Sequence, residues 1–171
     1  PYLDGAFACL AAKPDSERAS IATEGDTLWF SPAFLINAYG NSPSAVRRGY
    51  LHILLHCLYL HLFRGDVYQK RQWNLACDMA VEHIIEREAV PELAAGEDPV
   101  RERCFRLMGE RSLSAEELYY LLNQKRFPFS MEALEAAFAF DDHSLWDRKK
   151  EPAEIIQIKE KWERAIVHAG K

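Results

Sequence analysis

A chain of 171 residues, 49% hydrophobic and 27% charged, is long enough for one domain with a substantial core and short for two. A net charge of -5, with Lys and Arg scattered among Asp and Glu, provides no basic surface and argues against nucleic-acid binding. The longest apolar run, Leu51 to Phe63, is interrupted by three histidines and is shorter than the roughly 20 residues a bilayer requires, so it is not a membrane span. Four dispersed cysteines (Cys9, Cys57, Cys77 and Cys104) without a Cys-x-x-Cys pair fit a reduced, cytoplasmic protein, and no signal peptide opens the chain. A first residue that is proline rather than methionine fits a piece of a longer protein.

In chain order, Leu3, Ala6, Phe7 and Leu10 at helical spacing predict a short helix over Tyr2 to Ala12, ended by Lys13-Pro14-Asp15. Ala19 to Thr23 and Thr27 to Phe30 flank the turn Glu24-Gly25-Asp26 and predict a β-hairpin. Ser31-Pro32 and Ser42-Pro43 each pair a capping serine with a proline suited to the first helical position, starting helices at Ala33 to Ala38 and at Ser44 to about Phe63. Further helices are expected from Asn74 to about Arg87 and from Val100 to Met108. Two more run from the capping box Ser114-Ala-Glu-Glu117 through Leu122 and from Ser130 through Phe140. The stretch Asp141 to Trp146 breaks the pattern before a last helix over Ala153 to His168. The fold class is a mainly helical α+β domain, a single unit over 1–171, with a small hairpin or short sheet near its start.

Two residue pairs stand out. His52 and His56 are one helical turn apart, about 40° around the axis, and can both face one ion. His61 lies roughly 140° from His56 on the same helix and joins that face only if the helix ends or bends before it. Asp78 and Glu82 share a face of the next helix, so two such pairs on packed helices can converge on a cation. Neutral imidazole and carboxylate suit Zn2+; three protein ligands plus water make a reactive site, four a closed structural one. The metal-free reading stays open beside this one: buried histidines hydrogen-bonded in the core of a helical protein-interaction domain, with Asp78 as a partner of one imidazole.

These residues carry a resemblance. The opening Pro1-Tyr-Leu, the hairpin leading into Trp29-Phe-Ser-Pro32, the histidine helix with His61 and Arg64, Trp73-Asn-Leu-Ala-Cys-Asp-Met-Ala-Val81 and Asp142-His-Ser-Leu-Trp146 are similar to the metallopeptidase-like domain found N-terminal to von Willebrand A-like domains in bacterial proteins. The resemblance implies a zincin-like fold with His52 and His56 as zinc ligands and Asp78 as the third. It also implies a C-terminal von Willebrand A-like domain and a functional link to a MoxR-type ATPase. The family's usual pattern carries a glutamate after the first histidine and asparagine four positions after the aspartate; here those positions hold Ile53 and Glu82. Isoleucine cannot accept a proton, so the standard peptidase mechanism fails as written. Two readings follow: a zinc hydrolase acting on a peptide or similar amide with Glu82 as the relocated base, or a metal-stabilised binding or scaffold module without catalysis. His143 has two roles open to it, a hydrogen-bond donor to a substrate or oxyanion, or a loop residue packed beside Trp146. An open hairpin edge would offer strand addition to an extended peptide.

Overall fold

The computed structural model describes residues 6, 8–88, 93 and 96–169. The chain divides into two compact units, Pro1–Arg64 with Asp141–Lys171, and Gly65–Phe140. The architecture is α+β and mainly helical, as expected, with one small sheet.

In the first unit the predicted hairpin forms: β2 (Ile21–Thr23) pairs antiparallel with β3 (Thr27–Phe30). Of the opening helix expected over Tyr2 to Ala12, residues 2–5 and 7 lie outside the described residues, and its end differs from expectation. Ala11–Pro14 is a strand, β1, paired parallel with β3 so that the sheet order is β1-β3-β2. The amides of Ala11 and Asp15 donate to the carbonyls of Asp26 and Phe30 at 3.0 and 2.8 Å. The side chains of β1 are all exposed, so long-range contacts with β3, backbone bonds and the Lys13 ammonium over the Trp29 ring, specify the strand, and helical periodicity cannot report them. The same alternation turns Pro14 outward, where its missing N–H blunts the sheet edge. β1 thus covers the β3 edge of the hairpin, and on the other side the Asp142 amide donates to Ile21 O at 2.8 Å.

Two helices follow, α1 (Pro32–Asn41) and α2 (Pro43–Leu58). Ser31 caps α1 by accepting from the Phe34 amide; the Ser42 hydroxyl instead bonds that of Ser44 at 2.6 Å. α2 stops five residues short of the expected Phe63: Leu60 adopts a left-handed conformation (φ 55°) and a 3-10 turn follows at His61–Phe63. A second 3-10 turn, His143–Asp147, and α7 (Pro152–Ala169) return to this unit, where α7 packs on α2 and buries Trp162.

The second unit holds α3 (Lys70–Glu88), α4 (Pro99–Met108), α5 (Ala115–Asn123) and α6 (Met131–Phe138). α3 packs on α5 and α6, and α4 on α6. The capping box at Ser114 and Glu117 forms in full, and Asp98 caps α4 by accepting from the Val100 and Arg101 amides. α3 begins one turn earlier than expected, at Lys70, where Trp73 stacks on Tyr68 and the Gln69 amide donates to Tyr119. Among the described residues, no helix is long and apolar enough to cross a membrane.

Candidate metal centre

α2 delivers His52 and His56 with no exposed surface on either residue. One turn apart, their Nε2 atoms approach to 2.8 Å with the rings edge to face. A neutral imidazole carries one N–H and one lone pair, so two Nε2 atoms this close need a proton or a cation between them.

Asp141 is the third member. The Asp142 amide is held by Ile21 O, and the Asp142 carboxylate accepts from Ser144 N and, at 2.6 Å, from Arg18. This anchors the start of the 3-10 turn to the sheet and sends the preceding side chain inward. Asp141 Oδ1 lies 3.3 Å from His52 Nε2, 3.9 Å from His56 Nε2 and 2.9 Å from His143 Nε2, and the Asp141 side chain is wholly buried. Burial pushes the Asp141 pKa up, but the charge and proximity of His143, then His52 and His56, outweigh it and hold the carboxyl well below the usual range. Despite the short separations, neither Asp141 oxygen accepts a well-aligned hydrogen bond among the described residues. The attraction is therefore mainly one of charge rather than of directed hydrogen bonds.

One ligand atom from each of His52, His56 and Asp141 lies within 4.8 Å of the others. Their separations of 2.8, 3.3 and 3.9 Å bracket the edge of about 3.3 Å of a tetrahedron built on zinc bonds of about 2.0–2.1 Å. A buried carboxylate without aligned donors, facing two imidazole lone pairs, is a donor set suited to a divalent cation. Protonated imidazoles are the other way to satisfy it, at the cost of burying further charge.

Around these donors, His56 turns its other nitrogen to His61, with the two Nδ1 atoms 3.0 Å apart. The early end of α2 is what brings His61 back, fulfilling the condition set by helical geometry. His143 stacks on Trp146 with ring centroids 3.7 Å apart while its Nε2 faces Asp141. The Trp146 ring meets His56 edge to face at 5.0 Å.

The remaining site candidates are placed as follows. Ile53 is fully buried on α2. Asp78 and Glu82 are buried on α3, in the second unit, and the Glu82 carboxylate is ion-paired with Arg101 of α4. Asp141 was missed as a donor. The signal was present as an acidic pair next to His143, but nothing in local spacing ties that segment to the histidine helix.

No curated protein and no solved structure matches the chain. A family model described as "Putative metallopeptidase domain" matches residues 1–162. With nearly the whole chain covered and a buried His/Asp donor cluster inside the match, the chain belongs to this family of metallopeptidase-like domains.

Proposed function

We propose that this chain is a zinc-binding module of its family that keeps the metal and has lost glutamate-based peptidase chemistry. The observation that carries the reading is the buried convergence of His52, His56 and Asp141; the buried Ile53, at the position where the resemblance leads one to expect a glutamate, supports the loss of catalysis. Zinc is the metal favoured by imidazole and carboxylate donors at tetrahedral spacing. His52 and His56 offer Nε2 lone pairs, Asp141 supplies the charge, and His143 steadies Asp141. These three protein ligands leave a fourth position: water there makes an open site, and a fourth protein donor makes a closed site of the structural kind. A bound zinc ion there supplies a cross-link between segments distant in sequence, and in an open site it would supply Lewis-acid polarisation.

Glu82 is a poor replacement base on chemical grounds, because taking a proton would break its ion pair with the partly buried Arg101. The module then serves a protein partner rather than a peptide substrate, with a von Willebrand A-like domain and a MoxR-type ATPase as the proposed class. The test is metal analysis of untagged protein after zinc loading and removal of excess, alongside hydrolysis of a mixed peptide library. About one equivalent of zinc without cleavage is expected. Less than half an equivalent overturns the metal reading, and zinc-dependent cleavage lost in Glu82→Gln overturns the non-catalytic one.

A further inference from the structure

We infer that His61 is a positioning residue that fixes the tautomer of His56 and so makes it a zinc ligand; this rests on the metal reading above. His56 directs Nε2 towards His52 and Asp141, at 2.8 and 3.9 Å, and Nδ1 towards His61 Nδ1 at 3.0 Å. Two ring nitrogens 3.0 Å apart bond only when one of them carries the hydrogen. A His56 that offers its Nε2 lone pair to a metal must carry its proton on Nδ1. The hydrogen bond then runs one way: His56 Nδ1–H donates, His61 Nδ1 accepts, and His61 keeps its own proton on Nε2.

The backbone is built for this contact. α2 ends at Leu58, and Leu60 takes φ 55° and ψ 32°, a left-handed conformation uncommon for a residue other than glycine. A continued helix would carry His61 roughly 140° away from His56. The reversal instead buries His61, with Tyr59 stacked on its ring and His56 edge to face. Among the described residues His61 is not in the group of converging donors, so it acts through His56 rather than on the metal. Acceptors behind a ligating histidine hold the ring's tautomer and orientation and raise its basicity, and their loss costs about 10–100-fold in metal affinity.

The experiment compares zinc affinity, by competition with a chromogenic chelator, in the full chain and in His61→Phe, His61→Gln and His56→Ala. It adds long-range 15N–1H spectra of the imidazoles in the zinc-loaded parent. Expected are a fall of about 10–100-fold in His61→Phe, recovery of most of it in His61→Gln, whose amide oxygen can accept, and spectra showing protonated Nδ1 on His56 and protonated Nε2 on His61. Parental affinity in His61→Phe, or a zinc-loaded His61 protonated on Nδ1, overturns the role of His61. Undiminished binding in His56→Ala overturns the metal site itself, which separates the two failures. If His61→Phe does not fold, the parent's tautomer spectrum decides alone.

Discussion

Replacing Gly25 by alanine tests how the hairpin and the last helix are locked together in the first unit. Gly25 sits at φ 103°, outside the range that side-chain-bearing residues adopt at ease, and a Cβ there would lie 3.0 Å from Ile158 Cγ2 and 3.3 Å from Phe63 Cζ. The turn has little room to shift. Its amide donates to Thr23 Oγ1 at 3.0 Å, and its carbonyl accepts from the buried Trp162 indole at 2.6 Å. A left-handed backbone costs an alanine about 1–2 kcal/mol. Overpacking against Ile158 and Phe63 adds about 1–3 kcal/mol. For a chain of this size each kcal/mol lowers Tm by about 2–4 °C, so a combined loss of about 2–5 kcal/mol gives a fall of roughly 4–20 °C. Gly40→Ala is the control. It lies in α1 with nothing within 4 Å of an added Cβ, and it should stabilise by about 0.5–1 kcal/mol. Scanning calorimetry of parent and both variants reads the difference. A Gly25→Ala protein within about 1 kcal/mol of the parent would refute the reasoning from φ and crowding.

Four further outcomes are expected. Asp141→Ala removes the anionic donor and should cut zinc affinity by more than the roughly 10–100-fold typical of losing a supporting residue; equal affinity in a chelator competition would remove Asp141 from the site. Burial pushes the Cys57 thiol up to about 12, with Thr23 only partly opposing, so native protein at pH 8 should resist iodoacetamide at Cys57 while the partly exposed Cys9 reacts. Comparable labelling of both, read by peptide mass spectrometry, would contradict this. Burial first, and then Arg87, lower the pKa of His83, so the folded state binds fewer protons than the unfolded one between that lowered value and 6.5. Its contribution therefore weakens stability as pH falls through that window, and His83→Gln should flatten the urea midpoint against pH there; an unchanged slope sinks the assignment. Asp98→Ala leaves two first-turn amides of α4 uncapped and should cost about 1 kcal/mol by urea denaturation, with no loss counting against the cap.

Local signals located most helices to within a turn, because caps act over three or four residues: Ser31 before Pro32, Ser114 with Glu117, and Ser130 all cap as their positions imply. The His52/His56 pair was legible for the same reason, since spacing along a helix fixes direction around it. The failures share the opposite cause. β1 exists through its pairing with β3, and the donor at Asp141 reaches the histidines through a sheet contact and a 3-10 turn. The ion pair of the Glu82 carboxylate with an arginine on another helix is likewise invisible to spacing along α3.

By itself, then, the sequence determined the helical frame, the two imidazoles on one face of α2 and the apolar Ile53 between them, all properties of neighbouring residues on a regular backbone. Tertiary structure alone decided which carboxylate faces those imidazoles in the first unit, and it turned His61 back on His56 through the left-handed Leu60. The physical reason is that a buried charge is placed by whichever distant segments can bury and pair it together, and no periodicity along the chain encodes that choice.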